Sequence, residues 1–561
     1  MTRKDKASTK LIRNRISFLF RNFLSFVSHN KWLILVFATG IAFRLVSLGF
    51  APGMGAINQD EAFAGYEAYS LLKFGVDSHG FAFPVYFISW GSGMNVLETY
   101  LMIPFVAILG LTTTSIRLPI AILSIVSMFS FYGIAKRVFP KKFSVLAVLI
   151  YSFVPWNFIV SRWAVESNTA PFVLIIALYF LVKSTEKKQF IIPSLICYGL
   201  SFYTYSCFWP VLPLIILGSI IYLLAKKRLD FDKYLVIGAI LFFIICVPAA
   251  LFMGVNYGFI PEIKNSIFSV PKMSTLRSGE ISPSIHNALH TAKIILLQKD
   301  VSVWNTPRKF GWYYHFMTPV WIFGVCIFIY SAIRERKKCE HNQIVFLLFI
   351  QLICAAILGV IVEDTNSTRI GIAHIPIIFF AIYGIYNLCL IISRLFSKSK
   401  NPIAFLRAQN IFAIFFVFYA SLFLGFYFSA YNLDVSRKND LDQKLALEYI
   451  STNNTEDQPV HLLTDVAVSK ILFYDYTLPS VESESQKTVS FECGKRDLCY
   501  SRAGNYYYES LDSVDSIATS DYYLCNIIDQ ECLDLLNHED VGHKFYGNYL
   551  IISTSITSNN K

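Results

Sequence analysis

The sequence predicts an α-helical protein that crosses a membrane many times and ends in a small mixed α/β domain outside it. Three observations carry this reading. First, mean hydropathy is +0.49 and 55% of the 561 residues are apolar, too much for an ordinary water-soluble globule. The apolar residues fall in runs, as a bilayer demands, because backbone polar groups in lipid must be satisfied within a helix. Second, the loops between runs alternate between strongly and poorly basic. Third, beyond residue 431 the runs stop and Asp and Glu become frequent.

The first 31 residues form a basic arm, with Arg3, Lys4, Lys6, Lys10, Arg13, Arg15 and Arg21. The basic stretch is too long for a cleaved signal, and no small-residue cleavage site follows the first span. A cytoplasmic arm is expected, with an interfacial helix at Ile16–Val27. The membrane module is placed at 32–430. Its candidate spans are Trp32–Leu48, Val96–Leu111, Arg117–Ala135, Phe143–Val160, Thr169–Val182 and Phe190–Cys207. Trp209–Ala225, Tyr234–Met253, His315–Ile333, Ile344–Val362, Ile370–Ile392 and Ile411–Tyr427 follow. About eleven to thirteen crossings are expected.

Basic residues cluster in loops such as Lys136–Lys142, Lys183–Lys188, Lys226–Arg228 and Arg334–Lys338, and are sparse around 162–168, 206–210 and 363–369. The alternation puts the second set outside, together with long loops at 51–95 and 256–309 and the tail 431–561. It also explains the formal charge of +11 without nucleic acid. One conflict remains. If Val96–Leu111 and Arg117–Ala135 both cross, the basic Lys136–Lys142 loop falls outside. Either one segment is re-entrant, or a span has been missed, or this loop breaks the rule.

In the first long loop, Ala62–Phe74 reads as a surface helix ended by Gly75. The second, with His286, His290, Lys299 and Trp304, is expected to pack over the first or act as a lid. In the tail, Leu441–Ile450 reads as a helix, and His461–Asp465, Ile471–Tyr474 and Tyr549–Thr554 as strands. Cys493 with Cys499 and Cys525 with Cys532 are spaced for local disulfides in an oxidising compartment. The other seven cysteines lie in or beside apolar runs and are expected to pack. No glycine-rich phosphate loop and no long internal repeat is present.

Candidate chemistry centres on Asp60 and Glu61, a carboxylate pair just after the first span. Asp60 can serve as a general base toward a hydroxyl, or it can start the helix as a cap. Glu61 projects elsewhere and can orient its neighbours. Arg117, Arg162 and Arg369 at span ends can hold phosphate. They can equally snorkel or pair, as Arg162 could with Glu166 four residues on. His374 can share the face of Arg369. Trp90, Trp163 and Trp304 suit interface anchors or sugar platforms. A divalent metal would help neutralise phosphate, but the first loop lacks a ligand cluster for one.

These residues carry a family resemblance. Asn58-Gln59-Asp60-Glu61-Ala62, with Tyr66, Gly75, Asp77 and Gly80, is its core. Phe105, Gly110, Arg117-Leu118-Pro119, Pro155-Trp156 and the stretch from Ser161 through Trp163 and Glu166 to Asn168 extend it. The chain resembles the large bacterial membrane glycosyltransferases of the C-type fold. These are related to the dolichyl-phosphate-mannose protein mannosyltransferases and the lipid A aminoarabinose transferase. The resemblance covers Trp32 to Thr185 well and later helices by layout. It implies that Asp60 is catalytic, with Glu61 in the same motif. It implies a polyprenyl-phosphate sugar as donor and an active site on the outer side of a bacterial plasma membrane. The acceptor, whether glycan, lipid or protein, does not carry over.

The expected mechanism brings the donor in sideways from the lipid. Arg369 meets its phosphate, with His374, Arg162 or Lys299 assisting (Lys73 is another candidate). Asp60 deprotonates the acceptor hydroxyl, which displaces the phosphate with inversion. Tyr66, Asp77, His79, Trp90, Glu166 and Trp304 are the expected substrate contacts. The competing readings are a polymerase or ligase using diphosphate-linked glycans, which would not need Asp60, and a polysaccharide transporter. A transporter would show two matching halves and polar residues at mid-membrane, and neither stands out. A non-catalytic scaffold would tolerate loss of the acidic motif.

Overall fold

A computed structural model describes residues 28, 30–89, 93–275, 282–300, 304–334, 340–395, 402–475, 502–503, 505–509, 518, 520–537 and 541–556. The arm up to residue 27, Trp90, Cys493 and Cys499 lie outside the described residues.

The apolar runs are helices. Seven in the described residues are long and apolar enough to cross a membrane: Thr113–Val138, Glu166–Ser184, Lys233–Asn256, Met317–Arg334, Gln343–Ile361, Gly371–Leu395 and Ile403–Lys438. The protein is a multi-pass membrane protein. Burial sorts the helices. The apolar window of Glu166–Ser184 is 83% buried inside the protein and that of Lys233–Asn256 only 22%, so the first is central and the second faces lipid. Met317–Arg334 and Gly371–Leu395 approach closely through glycine. A Cβ on Gly324 would lie 2.0 Å from the Phe380 carbonyl, and one on Gly384 would lie 2.3 Å from that of Val320.

The conflict over the Lys136–Lys142 loop has a structural answer. The segment after Val96 forms a helix of only 13 residues, Leu97–Leu109, with Pro104 inside it. At 1.5 Å per residue this is about 20 Å, short of the roughly 30 Å hydrocarbon layer. Both ends return to the side of the first long loop. Asn95, before it, donates to Glu166. Thr113, after it, donates to the Gly55 carbonyl at 3.3 Å. The next helix, Thr113–Val138, therefore starts on that side and delivers Lys136 and Arg137 to the opposite one. There Arg137 pairs with Glu186, Arg228 with Gln343, and Gln409 donates to the Lys142 carbonyl. The basic loops gather at one end of the bundle, and the first long loop and tail at the other.

The second long loop packs on the first, as expected. It contains a two-stranded hairpin, β1 (Ile263–Lys264) and β2 (Ser269–Val270). Val85 donates to the Ser269 carbonyl, and Tyr86, Phe252, Val255, Val270 and Met273 share an apolar cluster.

The tail folds as a mixed α/β unit. Its strands are β3 (Val460–Leu462), β4 (Arg502–Ala503), β5 (Tyr506–Tyr508), β6 (Tyr522–Asn526), β7 (Gly542–Tyr546) and β8 (Tyr549–Ser553), ordered β4-β5-β3-β6-β8-β7. β3 is parallel to both neighbours, and the other pairings are antiparallel. The helix expected at Leu441–Ile450 is Leu441–Asn453. Cys525 and Cys532 form a disulfide. One expectation fails. Ile471–Tyr474 is the end of a helix, Val468–Tyr474, and not a strand. A four-residue apolar run does not distinguish the two periods. Here the run buries Ile471, Leu472 and Phe473 against the first-loop helix. A Cβ on Gly65 of that helix would lie 2.9 Å from the Phe473 ring.

Candidate active site

The site is built on the helix Gln59–Phe74. Asn58 caps its start, its side chain accepting from the Glu61 amide at 2.8 Å, and Gly75 ends it at φ 72°. Because Asn58 does the capping, Asp60 is not needed for it. Successive helix residues point about 100° apart, so Asp60 and Glu61 cannot share a face. Asp60 looks into a cavity. Glu61 turns inward and is fully buried, in a two-point pair with Arg117 at 2.7 and 2.9 Å. Glu61 also accepts from the Ala164 amide at 3.1 Å. Arg117 also donates to the carbonyls of Leu48 and Pro52.

The cavity measures about 1220 Å³ and opens between the two long loops and the tail. The first loop supplies Asp60, Tyr66, Glu67, Ser78 and His79. The helix junction at 163–168 supplies Trp163 and Glu166, and the second loop supplies Trp304 and Asn305. Asn366 and Thr368 line it from the 363–369 loop. The opposite wall is the tail, with Lys438, Asp440, Thr464–Lys470, Tyr508 and Glu509. Asn439 joins the three parts. It accepts from the Trp304 indole at 2.6 Å, donates to the Ala56 carbonyl at 2.9 Å, and its own carbonyl accepts from Lys470 at 2.9 Å.

Of the residues singled out from sequence, Asp60, Tyr66, His79, Trp163, Glu166 and Trp304 meet at this cavity. The residues expected to hold phosphate do not. Arg162 is completely buried and donates to the carbonyls of Phe43, Arg44, Val46 and Ala51 at 2.6 to 3.0 Å. It ties down the end of the first helix and does not pair with Glu166. His374 is buried, stacked on Trp156 at 4.2 Å, and bonded to Tyr313 and the Ser367 carbonyl. Arg369 donates to the Glu363 carbonyl at 2.8 Å. Lys299 is exposed, and neither it nor Arg369 lines the cavity. Asp77 is buried behind His79, accepting from the His79 and Phe81 amides. Arg117 sits at the Asp60 end, away from the basic loops. Sequence reasoning missed Glu67 and the whole tail wall. The one available signal was the polar run Arg437-Lys438-Asn439-Asp440 directly after the last apolar run, where a membrane edge must fall.

Electrostatically the first-loop wall is unusual. Burial raises the Glu67 carboxyl well above its ordinary range, and the nearby Asp77 adds to this. Burial also lifts Asp77 to about 6, against the two amides that hold its carboxylate. His79 is pushed down to about 4 by burial and is neutral near pH 7. A folded-state pKa above the unfolded one means the contribution of Glu67 is fully present at low pH. It is lost as pH rises above about 4.5. Glu67→Gln removes that loss. In detergent the variant should melt with the wild type at about pH 4 and above it at about pH 8. Parallel melting curves at both pH values would show that Glu67 is ionised in the folded protein. Among the described residues no three His, Cys, Asp or Glu side chains cluster closely enough to hold a metal ion.

Residues 83–252 match the family described as dolichyl-phosphate-mannose-protein mannosyltransferase. The match begins after Asp60, so that residue rests on its motif and its place in the cavity. No curated protein matches the chain by sequence. Among solved structures, ArnT from Cupriavidus metallidurans in the apo state superposes with a TM-score of 0.54 at 12% identity, over 95% of this chain and 99% of that one. ArnT bound to undecaprenyl phosphate gives 0.55 at 12% identity, with the same coverage of both chains. The chain has the C-type glycosyltransferase fold. Within that fold the cavity lies at the end of the bundle where the long loops and the tail meet.

Proposed function

We propose that the protein is a membrane glycosyltransferase that moves a sugar from a polyprenyl-phosphate donor to an acceptor hydroxyl at the outer face of a bacterial plasma membrane. The observation that carries this reading is the placement of Asp60. It stands at the start of a capped helix, on the wall of a cavity large enough for a sugar and part of an acceptor, at the end of the bundle away from the basic loops. The alternation of loop charge supports the outer orientation. The matched family and the ArnT complex with undecaprenyl phosphate support the donor class.

The chemistry is one displacement. Asp60 accepts the acceptor hydroxyl proton as the oxygen attacks the anomeric carbon. The bond from that carbon to the phosphate oxygen breaks, and polyprenyl phosphate leaves with the electron pair. Attack from the face opposite the leaving group inverts the configuration. No water is activated, so no second catalytic carboxylate is required. Glu61 acts through Arg117 and Ala164, holding the helix start in place, and is a positioning residue.

Vesicles carrying the purified protein provide the test. Polyprenyl-phosphate sugar should be consumed, polyprenyl phosphate should appear, and the product should carry the opposite anomer to the donor. Release of polyprenyl diphosphate, or a product with the donor's configuration, would sink the reading.

A further inference from the structure

We propose that the donor's phosphate is held by the ammonium of Lys438 and the indole N–H of Trp163, on a shelf formed by Trp304. The inference rests on the function proposed above and names the phosphate site that function requires. The cations expected from sequence to fill this role are elsewhere: Arg162 is spent on backbone carbonyls, and Arg369 and Lys299 do not line the cavity.

Two lysines line the cavity among the described residues, Lys438 and Lys470. Lys470 is committed inside the tail, to the Asn439 carbonyl at 2.9 Å and the Gln443 side chain at 3.1 Å. Lys438 is exposed at the end of the helix that continues the last membrane helix. Its ammonium lies 5.4 Å from the centroid of the Trp304 ring. That ring is fixed in turn by the indole bond to Asn439. A cation within about 6 Å of an aromatic face is attracted by the ring quadrupole.

A second observation, independent of the first, points to a ligand at the same place. Trp163 is only 6% exposed, it lines the cavity, and its indole nitrogen has no hydrogen-bond partner among the described residues. A buried N–H without an acceptor is costly, and an anion in the cavity would satisfy it. Trp163 lies nearly parallel to Trp304, with centroids 6.4 Å apart and an 18° tilt, so both donors border the same Trp304 ring. The Asn305 side-chain oxygen, also buried, lining and unpartnered, is an acceptor suited to a sugar hydroxyl next to that phosphate. Trp163 directly follows Arg162, which grips the carbonyls of Phe43, Arg44 and Val46 at the end of the first helix. The subsite thus lies beside the end of that helix.

The same donors could meet a phosphoryl group on the acceptor, so the test compares undecaprenyl phosphate, undecaprenol and glycerol 1-phosphate, each binding to the full chain in lipid nanodiscs. Lys438→Met should weaken undecaprenyl phosphate by about tenfold or more, as expected for loss of a charged hydrogen bond, and leave undecaprenol unchanged. Lys438→Arg should retain most of the affinity. Trp163→Phe keeps the ring and removes only the donor, and should give a smaller loss. Unchanged undecaprenyl phosphate affinity in Lys438→Met would overturn the site, as would an equal loss for undecaprenol or a loss confined to glycerol 1-phosphate. A wild-type protein that binds undecaprenyl phosphate no better than undecaprenol would instead remove the function on which the site rests.

Discussion

Asp60→Asn should leave a folded protein that binds donor and transfers almost nothing. The amide has the shape of the carboxylate but cannot take a proton. A positioned general base contributes about two to four orders of magnitude, so turnover should fall by that much while donor affinity stays within about a factor of three. The fold should not suffer, because Asn58 supplies the cap. Transfer from a polyprenyl-phosphate sugar, with donor binding measured separately, separates the two effects. Near-normal turnover would take the role of base away from Asp60. A parallel loss of donor affinity would mean that Asp60 holds substrate and does not act on the proton.

Arg117→Met should have the largest effect on stability of any substitution near the site. It leaves Glu61 in a fully buried position without its cation, and breaking such a pair costs about 3–5 kcal/mol. It also frees the carbonyls of Leu48 and Pro52, so the loop that leads to Asp60 loses its anchor and activity falls with stability. Glu61→Gln should be milder, because Arg117 keeps its two carbonyl acceptors. The double variant should be more stable than Arg117→Met alone, since it carries no uncompensated charge, with a coupling of about 1 kcal/mol or more. Thermal unfolding of the four proteins in detergent measures the cycle. Strictly additive losses would show that the pair is not coupled.

Some of this was legible in the sequence for physical reasons that act locally. Lipid forces long apolar runs, so the membrane helices stood out. Gly75 at φ 72° marks a helix end that other residues adopt only with strain, and the first-loop helix was read from it. The part of the site on that helix and in the turn just after it, Asp60, Tyr66 and His79, came with it. What stayed hidden depends on contacts between distant residues. Glu61 and Arg117 are 56 positions apart, and nothing in either neighbourhood announces the other. Arg162 had the composition of a phosphate ligand, but its partners are carbonyls more than a hundred residues earlier, 119 in the case of Phe43. Lys438 belongs to a polar run after the last apolar one, and nothing in that run marks it out. Its meaning comes only from Trp304, which the fold carries to it. Ile471–Tyr474 was misread because packing against Gly65, not local pattern, selects the helix.

The tail wall bears on how the protein comes into being. Asp60 is made early in synthesis, but the residues that face it across the cavity, from Lys438 to Glu509, come last. The loop before Asp60 is itself held from that direction, through Asn432 to the Met54 amide, Asn439 to the Ala56 carbonyl, and the Tyr474 hydroxyl to the Ile57 amide. A nascent chain still on the ribosome therefore has Asp60 but no enclosure around it. The cavity can close only when the final membrane helix is inserted and the segment behind it has folded back, so a half-made copy lacks the far wall.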